Sequence, residues 1–598
     1  MKMIEFNDLF KFLYQKQGHG NYFTYYRSVW LVVLSASAIL IFVLTGKFRR
    51  NFSLPYLAVF GFLTFLSAFF SAHRGMSIWG DPERFEGVFV WLGYLAITLI
   101  FSQFSENAKR IKLFLVCLIL SSSIIAIVGA LQFFGYDYFY DGIAQKYLSA
   151  NEDGFVSKLL PKSSDAIISL FGNSNYTGSY LAIAVPLTFV FTVLSRRLLF
   201  FWLIIHSLLY LNLLVCFSRS AFYAAFAAIL FSLVFLGKRV FEEKRSLIIL
   251  LVIYSVFPFF IDAYSMKHGK ERFFSGGIFG REIVTSFNPY GNFEDLKITG
   301  SSVKTVFDGI ELNVEAKNGE LFFYDKDGKI ISYKWLTPDK EKQIEQETGL
   351  NFGGIGGVDN AGVEKKLLLN RKVADRIMLN PEQIRGFEVF AWPEDLVVQI
   401  GRGKNFFLVR NTSQGFKIVN HAGAIDEIRE IETIGFKGYE NFASSRGYIW
   451  SRTLPLLKKS IFLGYGPDTF SGHFPNYDYL GKLRFLSSGI FRIIDKPHSF
   501  YFQIAFGSGI VALVVFILFL IKYFIETAKS VKGSDFFRFE EAVALAVMSS
   551  IVGFLLVSIF NDSVVSVSPV FWSLLGIGIA TNDLILKNKV MDVEQIGC

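Results

Sequence analysis

The chain is poor in charge and nearly devoid of cysteine. Only 19% of its 598 residues are Asp, Glu, Lys or Arg, against 52% hydrophobic, and mean hydropathy is +0.41. Ordinary soluble domains carry about 25% charge, so a water-soluble enzyme of the usual kind is excluded. Three cysteines are present: Cys117 and Cys216 fall in or at the end of apolar runs, and Cys598 is the last residue. None lies in a long polar segment, so neither a disulfide framework nor a thiolate metal site is expected. Histidines number seven, which makes the placement of each informative. A cleavable hydrophobic leader is not apparent in residues 1–26, and residues 3–14 suit an interfacial helix or a frayed terminus.

What the chain has instead is long apolar runs, about eleven of them, each near the ~20 residues that cross a hydrocarbon core. They cover 28–44, 55–72, 87–101, 111–134, 178–194, 199–216, 221–236, 247–260, 502–524, 542–560 and 567–585. The expected fold is mainly α: a polytopic membrane protein with about eleven transmembrane helices and a β-rich extracytoplasmic domain before the ninth. The expected divisions are an amphipathic segment 1–27, eight spans in 28–262, a β-rich insertion 263–440, extracytoplasmic helices and a loop in 441–498, three spans in 499–586, and a cytoplasmic tail 587–598.

Basic residues orient this array. Lys109, Arg110, Lys112, Arg196, Arg197, Lys238, Arg239, Lys244, Arg245, Lys522, Lys529, Lys532 and Arg538 fall on one side if the spans alternate, and that side should be cytoplasmic. The segment 261–499 is then outside. The net charge of +9 reads as this positive-inside bias, and no nucleic-acid partner is expected. Lys2, Lys11, Lys16 and Arg27 conflict with an outside N-terminus, so the first segment is not fixed by charge.

Within the outer segment the pattern shifts to short alternating runs, at 310–314, 321–324, 330–333, 387–390, 396–400, 406–409 and 416–419. Asp325-Lys326-Asp327-Gly328 between two of them signals a hairpin, and without a spaced bidentate Glu it reads as a plain turn, not a calcium loop. Glycines 353–357 lack the strand-to-helix setting of a phosphate cradle and read as a link.

The most telling segment is Asp495-Lys496-Pro497-His498-Ser499, immediately before the ninth apolar run. An imidazole at a bilayer mouth can take a proton from a substrate tethered to lipid. The plain alternative is a surface His at a helix start, with Pro497 in the first turn.

Taken together, several segments resemble the O-antigen ligase and polymerase family. They are 171–182, with Phe171-Gly172-Asn173-Ser174-Asn175; then Ser218-Arg219-Ser220; Ser445-Arg446-Gly447-Tyr448-Ile449-Trp450; Gly464-Tyr465-Gly466-Pro467-Asp468-Thr469-Phe470; and Asp495-Lys496-Pro497-His498, in the family's order. Trp79-Gly80 and Arg84-Phe85-Glu86-Gly87 fit a variant of it. The resemblance covers about 55–585 and leaves out the β-rich part. Ser499 departs from it, since many relatives have Asn there. It implies an integral-membrane glycosyltransferase of GT-C-like helical fold that moves a glycan from an undecaprenyl diphosphate carrier to a glycan, lipid or wall-polymer acceptor. It also implies work on the outer face of the cytoplasmic membrane, without cofactor, metal or nucleotide sugar.

The residue types suit that chemistry. A departing lipid diphosphate needs fixed cations, and the Arg fork pairs two phosphate oxygens while staying charged. Arg219 is the first choice, with snorkelling to headgroups as its plain alternative. Arg446 and Arg452, about 240° apart on one helix, cannot both face a site, so Arg446 is preferred and Arg452 is expected to be solvated. Arg84, Lys496, Tyr465 and Asp468 are further substrate-binding candidates, with Arg452 kept beside them should it turn to the site, and His498 is the expected base. A single displacement inverts the anomeric centre; a double one needs a carboxylate nucleophile, for which Asp468 is the residue to watch. Asp495 is expected to orient His498 or cap a helix. Asp81 and Glu83 form an acidic pair of the kind metal-dependent GT-C enzymes carry, but Pro82 between them suits a turn, and no metal is expected. His206, in mid-span, reads as a neutral His bonded to a neighbouring helix. A lipid-linked glycan transporter or flippase is disfavoured by the lack of an internal repeat, and a protein O-glycosyltransferase stays open.

Overall fold

The computed structural model describes residues 22–45, 49–136, 166–268, 270, 273–274, 293–335, 377–379, 388–392, 397–402, 405–420, 424–486 and 489–596. The segment 3–14, the glycines 353–357 and Cys598 lie outside the described residues. Two compact units divide the chain. One comprises Asn21–Arg281, Leu457–Thr469 and Lys496–Cys598; the other includes Glu282–Leu456 and Phe470–Asp495.

The first unit is helical. Its main helices are α1 (Tyr22–Thr45), α2 (Ser53–Phe69), α3 (Val88–Ser102), α4 (Ala108–Phe133), α5 (Ser174–Leu194), α6 (Leu199–Val215), α7 (Arg219–Leu236), α8 (Lys244–Lys267), α9 (Phe500–Gly507), α10 (Ile510–Val531), α11 (Phe539–Val557) and α12 (Ser568–Ile596). Among the described residues nine helices are long and apolar enough to cross a membrane, and α2 and α6 are shorter apolar helices. Every expected apolar run is helical, so the polytopic reading stands. At the centre α5 is buried from Thr177 to Val193, and α11 is buried along most of its length. Helices buried on all sides need no polar face, which explains their near-uniform hydrophobicity.

One expected span is not continuous. The run 502–524 breaks between α9 and α10, where Gly509 takes φ +106, open to glycine and strained for other residues. The segment 460–467 passes through the gap and supplies the lost backbone partners. Tyr465 N–H donates to Phe506 O at 2.8 Å, and Gly466 N–H to Gly507 O at 3.0 Å. In return Ile510 and Val511 N–H donate to Ser460 and Ile461 O at 2.9 and 3.0 Å. From α2, Thr64 and Ser67 bond to Ser508 at 3.0 and 3.1 Å. Irregular backbone survives in a membrane protein where such partners exist.

The helix ends differ in chemistry. At one end Arg196 pairs with Glu243 at 2.8 Å, Arg239 donates to Asp535 O at 2.7 Å, and Lys589 donates to Ser530 O at 2.8 Å. The other end collects the loop before α3, the start of α5, the α6–α7 turn, the start of α9 and the α11–α12 loop. Between the ends, His206 is fully buried, with Nδ1 2.9 Å from Thr188 Oγ1 and Nε2 2.7 Å from Tyr254 OH. Both ring nitrogens are partnered, so this His ties α5, α6 and α8 together, as read from the sequence.

The second unit holds two antiparallel sheets. The first has the order β1 (Phe293–Thr299), β2 (Ser302–Phe307), β3 (Ile310–Lys317), β4 (Glu320–Tyr324). The second runs β11 to β5 in order: β5 (Tyr333–Trp335), β6 (Ile377–Leu379), β7 (Glu388–Trp392), β8 (Val397–Arg402), β9 (Asn405–Thr412), β10 (Gly415–Val419) and β11 (Ile425–Asp426). Alternate residues point inward, for example Leu312, Val314 and Ala316 on β3, as the period of two requires. Val303, Leu312, Phe323, Ile400, Phe407 and Val409 from both sheets share one core. The turn at Asp325 is a plain one: its Oδ1 accepts from Asp327 and Lys329 N–H, both at 2.9 Å. The expected hairpin is cut short there, since after a lone bridge from Tyr324 to Ile330 the chain joins the other sheet as β5. The helix Phe442–Leu457 opens with three left-handed residues, Ala443, Ser444 and Ser445, so its regular part begins at Arg446.

Candidate functional site

The first turns of α5 form a hub. Asn173 caps the helix, its side chain accepting from Asn175 N–H at 2.8 Å. Asn175 Oδ1 then accepts from Ser218 Oγ at 3.1 Å, Tyr176 OH from Lys496 Nζ at 2.8 Å, and Ser179 Oγ from Asn561 Nδ2 at 2.9 Å. Gly178 makes the α7 contact close: a Cβ there would sit 2.6 Å from Ser218 Cβ. One short stretch of helix thereby gathers the turn before Arg219, the Lys496 segment and the α11–α12 loop at one end of the helical unit. Arg219 is half-buried as the first residue of α7.

His498 sits at the start of α9 with φ 53, in the left-handed region that a non-glycine residue adopts at a cost. Its side chain is 27% exposed, and Nδ1 lies 3.5 Å from Asp562 Oδ2. The other carboxylate oxygen, Oδ1, accepts from Ser499 N–H at 3.1 Å. Burial pushes the Asp562 carboxyl up, but the His498 hydrogen bond and the charges of His498, Lys496 and Arg84 together hold it below its ordinary value. The group is an ionised carboxylate beside an accessible imidazole. Asp562 went unread in the sequence. The signal was there in Asn561-Asp562-Ser563, a polar interruption between two apolar helices, where an acid is costly unless used.

Beside this pair, Glu86 is fully buried. Its Oε1 accepts from Tyr94 OH at 2.5 Å and Ser563 Oγ at 2.8 Å, and its Oε2 from Gln503 Nε2 at 3.4 Å. Burial raises the Glu86 carboxyl against the pull of those donors and of Arg84. Glu86 therefore ties the loop before α3 to α9 and to the loop carrying Asp562.

Arg84 and Asp468 occupy places different from those expected. Arg84 is 5% exposed, and its Nε and Nη2 donate to Asp468 Oδ1 at 2.7 and 2.6 Å. Asp468 Oδ2 accepts from Asp81 and Glu86 N–H at 2.6 and 3.1 Å. Its side chain is 1% exposed, and burial pushes its carboxyl up to about 7 despite Arg84. A carboxylate enclosed in this way latches the loop 80–87 onto the 457–469 segment and is not placed to attack a sugar. Arg84, committed to it, is not an open phosphate ligand. Asp81 shapes the same loop, its Oδ1 accepting from Glu83 N–H at 3.1 Å, as the turn reading had it. Tyr465 stacks on Phe506 at 4.7 Å, and its carbonyl accepts from Ser71 Oγ at 2.5 Å.

Arg446 and Arg452 belong to the other unit. Arg446 Nη1 donates to Ala443 O at 2.8 Å and fixes the left-handed bend. Arg452 is not solvated. It is buried, donates from Nε to Asp478 Oδ2 at 2.9 Å, and lies 4.4 Å from the Tyr448 ring centroid. Asp478 could not be foreseen as its partner, because tertiary structure alone joins the two.

The family described as O-antigen ligase matches residues 405–517. That stretch contains Arg446, Arg452, Tyr465, Asp468, Lys496 and His498, and it begins at β9, inside the region the sequence resemblance had left out. No curated protein and no solved structure matches the chain. Over residues 405–517 the chain is thus similar to the O-antigen ligase family, and its apolar helices mark it as a multi-pass membrane protein.

Proposed function

We propose that the protein is a membrane glycosyltransferase that moves a glycan from undecaprenyl diphosphate to an acceptor hydroxyl, as a ligase or polymerase of surface polysaccharide. The observation that carries this reading is His498 against Asp562, with Lys496 and Arg219 gathered by the same turns of α5. Asp562 orients the imidazole through Nδ1, and the ring takes the acceptor hydroxyl's proton, contributing ~10²–10⁴ in rate. Lys496 and Arg219 supply positive charge toward a departing lipid diphosphate. As the new C–O bond forms, the sugar–phosphate bond breaks with its electron pair, and the diphosphate leaves on its lipid. With Asp468 enclosed, one inverting displacement is the route favoured. The basic residues of the opposite end favour placing the site on the outer face of the cytoplasmic membrane.

The test is reconstitution of the purified chain in bilayers with a defined undecaprenyl diphosphate glycan, offering glycan, lipid and wall-polymer acceptors singly, with and without chelator. Glycan transfer to one acceptor that is lost in His498→Ala supports the reading. Transbilayer movement of the donor without transfer overturns it.

A further inference from the structure

A groove of about 530 Å³ lies between the start of α1 and the α11–α12 junction, lined by Tyr26, Arg27, Trp30 and Leu31 on one side and Val565, Ser566 and Pro569 on the other. Its second wall continues the loop that carries Asp562 and Ser563, so it adjoins the catalytic pair along the chain. Trp30 is 60% exposed and Tyr26 44% exposed on a helix long and apolar enough to cross a membrane, which turns these rings toward lipid. Arg27 Nη2 donates to Leu170 O at 2.8 Å, fixing a cation at the same end as Lys496 and Arg219. Aromatic rings and a cation at that depth are what an amphiphile with an anionic head meets at a membrane surface.

We propose that this groove receives the isoprene units nearest the diphosphate of the lipid-linked donor. The proposal rests on the transferase reading and adds the route by which the donor's tail reaches the site. Three features favour an isoprenoid over a bystander lipid. The groove is continuous with the Asp562 loop, its cation suits a diphosphate, and its rings suit the methyl-branched, planar alkenes of a polyprenyl chain. The volume falls within the range of a ligand pocket, large enough for the head-proximal part of the chain and not for its whole length.

The test uses the full chain in bilayers with a polyprenyl diphosphate glycan bearing a diazirine on its first isoprene units. Adducts should map to 26–31 or 565–569 and be competed by unlabelled donor. Ser566→Trp, which fills the groove, should raise the KM for this donor about tenfold while leaving kcat, and turnover of a short-tailed soluble donor, within about twofold. Trp30→Ala, which opens the groove, should raise the KM by a smaller factor. Labelling at other helices overturns the proposal, as does labelling by a diazirine phospholipid that donor fails to compete, or equal loss with both donors in Ser566→Trp. Competed labelling here in a wild-type chain that transfers nothing would leave the groove standing and remove the transferase reading.

Discussion

Asp562 meets His498 through Nδ1 at 3.5 Å and the next residue's amide at 3.1 Å, so one carboxylate fixes both the imidazole and the backbone that presents it. Asp562→Asn preserves shape and removes the charge. It should lower kcat about 10²–10⁴-fold with donor binding little changed, measured by single-turnover transfer and donor titration. Because the two act as a unit, adding His498→Ala to Asp562→Asn should cost little more than His498→Ala alone. Additive losses would show that they work separately.

Arg84 and Asp468 should matter first to stability. Removing one partner from a buried pair costs about 3–5 kcal/mol, because the other charge is left enclosed. Arg84→Met should therefore lower the unfolding midpoint sharply in detergent, and Arg84→Met with Asp468→Leu should recover much of the loss. Unchanged melting in the single variant would mean that the loop 80–87 is held by other contacts.

Asp468 also predicts a pH trend. Its folded carboxyl titrates near 7 against an ordinary 3.8, so between those values the folded chain keeps a proton that the unfolded chain has released. Its contribution is greatest below about 4 and is lost as pH rises to about 7. Thermal melting across that window should fall less steeply in Asp468→Asn than in the parent chain. An identical slope in both would contradict the assignment.

Lys496 is expected to act on the donor. Lys496→Met should raise the donor KM about tenfold, and Tyr176→Phe, which removes only the Lys496 Nζ contact at 2.8 Å, should have a smaller effect in the same direction. A fall in kcat alone would place Lys496 in the chemical step instead.

Much of the architecture is legible in the amino-acid sequence. Helix positions follow from runs of apolar residues, a signal that survives without a partner, and β3, β4 and β7 to β10 follow from alternation. The break at Gly507-Ser508-Gly509 was hidden because glycine and serine are ordinary within membrane helices. What the sequence could not reveal was pairing at a distance. Lys496 and His498 stood out as polar residues at a membrane mouth, whereas Asp562 is a lone acid in a short link. Arg84, Asp468 and Arg452 were recognised as chemically important types, yet their roles depend on partners hundreds or tens of residues away. Those partners turn apparent phosphate ligands into latches.

The left-handed backbone of His498 sets activity against robustness. Glycine occupies that region freely and asparagine readily, while histidine is held there by its surroundings. His498→Gly or His498→Asn should therefore give a silent protein that melts no lower than its parent, whereas His498→Val should be both silent and fragile. Such a relaxed, inert chain would be the form in which to trap donor and acceptor together.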